Sequence, residues 1–246
     1  MLSRSPTSTR GWISRRTSRN YFFTESYTNP FKSLAKWALA STRWLKAGVF
    51  LAGLAPLGVM AGKALTGTLG ANPPDALIDR TGEWALRILL ATLVITPLRR
   101  ATGWRWPGRI RRMVGLFAFF YGLLHFAAYA AFDQSLRLSA LWADLWARPF
   151  ITVGFVALAG LLPLALTSTR AAMMRLGPWW SRLHQTVYLW AILSVLHFYL
   201  LVKADIREPL VYAFFLALLL GYRMLPRRWQ RRPLRGLKTR STAARF

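Results

Sequence analysis

The sequence predicts an all-α membrane protein, a six-helix transmembrane bundle with both termini in the cytoplasm. Two observations carry this expectation. From Trp44 onward the 246-residue chain is a succession of apolar runs, each roughly 15 to 22 residues and so near the length that crosses a bilayer. Its Lys and Arg residues crowd into every second interval between those runs. A third observation bears on chemistry. The chain has no cysteine and three histidines, which removes disulfides, thiolate metal sites and Cys-held iron–sulfur clusters and leaves histidine as the obvious metal ligand.

Residues 1–43 are rich in Ser, Thr and Arg, hold one acid, Glu25, and show no sustained apolar period, so they read as a basic, disordered cytoplasmic arm. Ser14-Arg15-Arg16 invites a twin-arginine signal, but the next long apolar run begins only near Trp44, which argues against one. Residues 44–226 hold the six runs, at about 45–66, 84–98, 113–132, 149–167, 183–202 and 209–225. Pro56, Pro97 and Pro163 fall inside them, where a bundle can absorb the lost backbone hydrogen bond. Asn72-Pro73-Pro74-Asp75 and Gly177-Pro178 supply turn chemistry between runs, and residues 227–246 form a basic cytoplasmic tail.

A net charge of +26 would by itself suggest a polyanion partner, but the placement of the charge decides otherwise. Nine Lys and Arg lie in residues 1–46, six in 99–112, three in 168–182 and nine in 223–245, which is 27 of 34 on one face. Seven of the eight acids lie on the other face: Asp75, Asp79, Glu83, Asp133, Asp144, Asp205 and Glu208. Basic residues mark the cytoplasmic side, so the charge reports topology and no nucleic acid is expected as a partner. The tail Arg227-Arg228-Trp229-Gln230-Arg231-Arg232 adds an attraction to anionic membrane lipid.

With that topology the third and fifth helices both run outward. His125 lies twelve residues past Met113 and His197 fourteen past Leu183, so the two imidazoles are expected at similar depth in the outer half of the membrane. An imidazole there is costly without a partner. Parallel helices with His at one level can clamp a haem iron from both faces, six-coordinate with no open position, as an electron carrier requires. The pair also suits a polar network or a proton relay, and haem is the favoured reading. Gly115 and Gly122 lie on or near the His125 side, and Ser194 one turn before His197. Such small residues let a macrocycle approach or let helices pack.

His184 lies thirteen residues before His197, about 20 Å lower along a helix and roughly 140° around it. The matching level of helix three holds Arg111 and Arg112 in place of histidine. An inner haem with one protein ligand, or with a different second ligand, fits this arrangement. So does an anionic group: Arg111, Arg112 and Arg182 beside Trp104, Trp106, Trp179 and Trp180 offer the phosphate forks and ring-stacking surfaces that FMN needs. The plainer reading is a belt of snorkelling arginines and interfacial tryptophans. Arg87, near the outer end of helix two, likewise either snorkels or pairs with a haem propionate.

Several stretches then resemble one family in combination. They are Leu69-Gly70-Ala71-Asn72-Pro73, Thr81-Gly82-Glu83-Trp84-Ala85-Leu86-Arg87, Ile95-Thr96-Pro97-Leu98-Arg99-Arg100 and Arg111-Arg112-Met113-Val114-Gly115-Leu116. Phe120 through His125 and Leu183-His184 through His197-Phe198-Tyr199 to Lys203 complete the set. Over about residues 45–225 the chain resembles the MsrQ (YedZ) family, haem-binding membrane subunits of bacterial MsrPQ methionine sulfoxide reductase systems, within the ferric-reductase-like transmembrane superfamily. The resemblance implies a six-helix bundle in the bacterial inner membrane that binds b-type haem and FMN. It implies electrons taken from the quinone pool or a cytoplasmic flavin reductase and passed to a periplasmic molybdopterin subunit, MsrP-like, that reduces methionine sulfoxide in envelope proteins. It carries His125, His184 and His197 over as haem-ligand candidates. The N-terminal arm is longer than the family pattern, and Gln185 stands where a basic residue commonly follows Leu-His.

No nucleotide-binding glycine fingerprint, Cys nucleophile or large soluble segment is evident, so no substrate-reducing site of its own is expected and the chain reads as an electron conduit. Two competing classes are another transmembrane haem reductase, acting on ferric iron or oxygen, and a haem-free transporter or assembly factor using its histidines for protons.

Overall fold

The computed structural model describes residues 30–104, 106–202 and 205–225, and within residues 30–42 the backbone alone. The chain divides into two units, Met1–Ala40 and Ser41–Phe246. Of the first, the described residues are helical, and the rest of the expected arm lies outside the described residues, as do residues 226–246 of the tail.

Among the described residues every regular element is helical: α1 (Pro30–Leu65), α2 (Pro73–Thr102), α3 (Pro107–Ala128), α4 (Leu138–Ala147), α5 (Pro149–Leu166), α6 (Arg170–Leu176), α7 (Pro178–Gln185), α8 (Val187–Leu201) and α9 (Arg207–Met224). A single π-helical turn, Tyr129–Asp133, follows α3. Proline stands at the first position of α2, α3, α5 and α7, where its missing N–H costs nothing and its fixed φ starts the helix. α2 ends on Gly103 at φ 72°, which returns its N–H to the Arg99 carbonyl.

Among the described residues, five spans are long and apolar enough to cross a membrane: Arg43–Leu65, Pro73–Thr102, Pro107–Asp133, Pro149–Leu166 and Pro178–Leu201. The protein is therefore a multi-pass membrane protein. The last of the six expected runs is α9, with 18 residues that include Arg207, Glu208 and Arg223. The fifth run is interrupted at Thr186, where a tighter turn separates α7 from α8. Two short helices, α4 and α6, fill intervals in which the apolar pattern predicts no element.

The core lies where α2, α3, α5, α8 and α9 meet. Leu86, Leu89, Leu93, Ala118, Leu164, Ala191, Val195 and Leu216 are buried there. α2 packs along α3, and α5 along α8. Gly160 permits the second approach, since a Cβ there would stand 2.3 Å from the Trp190 ring. Buried Thr81 and Thr92 return their hydroxyls to carbonyls one turn back, so neither leaves a polar atom unsatisfied in an apolar setting.

α1 meets α3 through one polar insertion. The fully buried Tyr121 hydroxyl donates to the Gly53 carbonyl at 2.8 Å and accepts from the Leu57 N–H at 3.1 Å, beside Pro56. The hydroxyl thus bridges the two backbone groups that would ordinarily bond each other across the proline kink. Tyr121→Phe is expected to lower the stability of the purified chain by about 1–3 kcal/mol, the range for stranding buried polar groups. Thermal unfolding in detergent measures this, and an unchanged midpoint contradicts the bridging role.

Candidate functional site

The histidines expected at one depth are neighbours in the fold. The rings of His125 on α3 and His197 on α8 have centroids 6.1 Å apart, with planes inclined at 71°. Each ring is oriented by a backbone carbonyl. His125 Nδ1 lies 2.8 Å from the Ile78 carbonyl on α2, and His197 Nδ1 lies 2.6 Å from the Phe150 carbonyl on α5. A carbonyl can only accept, so Nδ1 carries the proton in both rings and the lone pair resides on Nε2, the tautomer a metal ligand needs. Two imidazoles bound to one metal by bonds of about 2.0–2.1 Å have ring centres roughly 6 Å apart, which matches the observed separation. The donor set therefore fits a haem iron held from both faces.

Glycines make room for these rings, but not the ones the sequence points to. A Cβ on Gly154 would stand 2.7 Å from the His197 ring, and one on Gly82 would stand 3.0 Å from His125 Nδ1. Gly115 and Gly122 face Thr92 of α2 and Leu158 of α5, so they serve helix packing. Ser194 gives its hydroxyl to the Trp190 carbonyl, 2.8 Å away. Gly82 and Gly154 belong to helices other than those bearing the histidines, and no spacing within one helix could have singled them out.

His184 sits apart, in α7. Its ring stacks on Trp180 at 4.0 Å and 26°, with Nδ1 3.1 Å from the Trp180 carbonyl. Trp180 is pinned in turn, donating its indole N–H to the Thr167 carbonyl at the end of α5. His184 Nε2 is buried with no partner at hydrogen-bond geometry among the described residues, although the Leu164 backbone also lies within interaction range of the ring. A buried imidazole nitrogen without a well-formed hydrogen bond is compatible with a bound cofactor.

Arg111, Arg112 and Arg182, expected to act together, each have a contact of their own. Arg111 is half-buried and within electrostatic reach of His184 and Arg99. Arg112 reaches the Ser168 carbonyl at 3.4 Å, and Arg182 lies over the Trp179 ring at 4.7 Å. Trp104 and Trp106 form a tilted pair with centroids 5.9 Å apart. A further cation missed by the sequence reading, Arg223 of α9, lies over the Tyr188 ring at 4.2 Å and donates to the Leu93 carbonyl. Arg87 bonds Glu83 at 2.8 Å and the Tyr212 hydroxyl at 2.9 Å. It stands at one end of a groove of about 680 Å³ between α2 and α9, lined by apolar side chains such as Leu90, Val94 and Phe215.

Residues 81–195 match the ferric reductase like transmembrane component family. The chain is similar to the protein-methionine-sulfoxide reductase heme-binding subunit MsrQ of Rhodospirillum rubrum, 51% identical over 179 residues, covering 72% of this chain and 86% of that one. The corresponding subunit of Xanthomonas axonopodis pv. citri is 49% identical over 177 residues, covering 72% and 77% respectively. That of Azospira oryzae is 46% identical over 185 residues, covering 74% and 79%. No solved structure matches the chain.

Proposed function

The chain belongs to the MsrQ family of protein-methionine-sulfoxide reductase haem-binding subunits, and on that premise we propose that it conducts electrons across the bacterial inner membrane through a b-type haem held by His125 and His197. The observation that carries this reading is the pair of carbonyl-oriented imidazoles 6.1 Å apart, each with Nε2 as its lone-pair nitrogen. A haem bound there supplies reversible one-electron uptake and release.

The residues around it do three things. The Ile78 and Phe150 carbonyls fix ring orientation and make each imidazole a stronger donor to the metal. Gly82 and Gly154 let the rings lie against neighbouring helices. The apolar faces of α2, α3, α5 and α8 keep water away, which together with ligand type tunes the potential. At the inner end, His184 on its Trp180 platform is a ligand for a second cofactor, and Arg111, Arg112 and Arg182 provide the charge for an FMN phosphate. Arg87 pairs with Glu83 and remains the candidate contact for a haem propionate.

In this scheme α9 is the sixth span, both termini are cytoplasmic, and electrons enter from quinol or a cytoplasmic flavin reductase. They leave outward to a periplasmic, MsrP-like molybdopterin subunit that carries out the sulfoxide reduction. Cofactor extraction from the purified chain tests the reading: haem and FMN are both expected in stoichiometric amounts, with a split b-type band after dithionite. A colourless chain sinks it. In the Arg111→Ala/Arg112→Ala double variant FMN is expected to fall about tenfold, since losing charge-assisted phosphate contacts costs about 1.4 kcal/mol or more. Flavin retained at the wild-type level counts against the inner cluster.

A further inference from the structure

The turn that follows His125 differs from the rest of the backbone. α3 runs into the π-helical turn Tyr129–Asp133, a rare form that is frequent at functional sites. Beyond it, Ser135 and Leu136 stand at φ 50° and 57°, two consecutive non-glycine residues in the left-handed region. Such a conformation costs free energy and persists only where its surroundings impose it.

The strained turn lets several groups converge on one carboxylate. The Tyr129 hydroxyl donates to Asp144 Oδ2 at 2.6 Å, Gln134 Nε2 donates to the same oxygen at 2.9 Å, and Arg148 Nε meets Oδ1 at 3.0 Å. The Asp144 side chain is only 13% exposed. It lies on α4, whose outward stripe is the exposed Leu138, Trp142 and Trp146. An acid turned inward from an apolar, Trp-bearing helix, with three donors arranged around it, is held in one position by its network.

Asp144 also begins the corner that holds His197. The Arg148 N–H bonds the Asp144 carbonyl at 3.0 Å, and the Arg148 carbonyl receives the Ile151 and Thr152 N–H groups. The Thr152 hydroxyl closes back on the Leu145 carbonyl. Within this block sits Phe150, whose carbonyl orients the His197 ring. On the other side, Tyr129 lies one helical turn beyond His125.

We infer that Asp144 is a positioning residue that sets the His197 imidazole relative to His125, with Tyr129 and Gln134 as its anchors on the His125 side and Arg148 relaying the constraint to the Phe150 carbonyl. The inference rests on the proposal that these two histidines hold the haem. Its sign follows from the hydrogen bond: a well-placed carbonyl on Nδ1–H makes the imidazole a more basic ligand and favours oxidised iron. Loosening the corner therefore raises the reduction potential.

The test uses the full-length, haem-loaded chain with Tyr129→Phe, Asp144→Asn and Gln134→Ala. Tyr129→Phe changes no charge, so a shift there reports geometry rather than a lost carboxylate. Haem per chain is expected at the wild-type level, with the reduction equilibrium moved toward reduced haem by about threefold, roughly 30 mV for one electron. The low-spin electron paramagnetic resonance g values are expected to change with it. The Tyr129→Phe/Asp144→Asn double variant should move no further than the larger single change, since both act on one network. Wild-type potential and g values in loaded Tyr129→Phe and Gln134→Ala overturn the inference, even if Asp144→Asn fails to assemble. His197→Ala run alongside separates the two claims. Haem retained in that variant defeats the ligand proposal, whereas haem lost there with Tyr129→Phe unchanged defeats only the positioning role.

Discussion

His125→Ala and His197→Ala are each expected to abolish the low-spin haem spectrum of the purified chain, while His184→Ala leaves the outer haem in place. The asymmetry follows from position. The rings of His125 and His197 have centroids 6.1 Å apart, and each is held by a carbonyl from a third or fourth helix, so removal of either would leave the proposed haem with one of its two protein ligands. His184 belongs to a different helix segment and packs on Trp180 with its own environment. Altering groups that merely support a metal ligand costs about 10–100-fold in affinity, so loss of the ligand itself should exceed that. Haem per chain and the oxidised visible spectrum measure the outcome. Complete haem loss from His184→Ala alone would show that the pairing by depth is wrong.

Gly154→Ala is expected to have the next largest effect. The added methyl would lie 2.7 Å from a ring that is already tied to the Phe150 carbonyl at 2.6 Å. The methyl would crowd the same Nδ1 edge of the ring that bonds the Phe150 carbonyl, so the ring must leave its orientation or α5 must move away from α8. Overpacking of this kind costs about 1–3 kcal/mol, and most of it should appear as lost haem or a displaced low-spin spectrum. Gly122→Ala is the matched control, because its methyl would meet the tip of Leu158 at 3.3 Å, a flexible side chain that can give way. Equal haem loading in the two variants would remove the steric role assigned to Gly154.

Much of this was legible in one dimension. Length and hydropathy locate the runs that become α1, α2, α3, α5 and α8, because crossing a bilayer demands a continuous apolar helix. Counting residues along the third and fifth runs predicts His125 and His197 at one level, and their rings are neighbours in the fold. What stayed hidden depends on pairs of helices. Gly82 and Gly154 matter because of imidazoles on other helices, and Arg223 matters because Tyr188 and Leu93 lie beside it. The helix α4 escaped because ten residues are too few for a span, and its exposed Leu138, Trp142 and Trp146 follow a helical spacing that only a membrane interface rewards. The break at Thr186 also has no strong sequence mark, though it interrupts the helix between His184 and His197.

The proposed haem sits between His125 and His197 with no open coordination position. Electron paramagnetic resonance of the oxidised full-length chain tests it most directly. A low-spin ferric signal of two imidazole ligands is expected, lost in His197→Ala and kept in His184→Ala. A wild-type signal dominated by high-spin iron, or a low-spin signal that persists without His197, would contradict it.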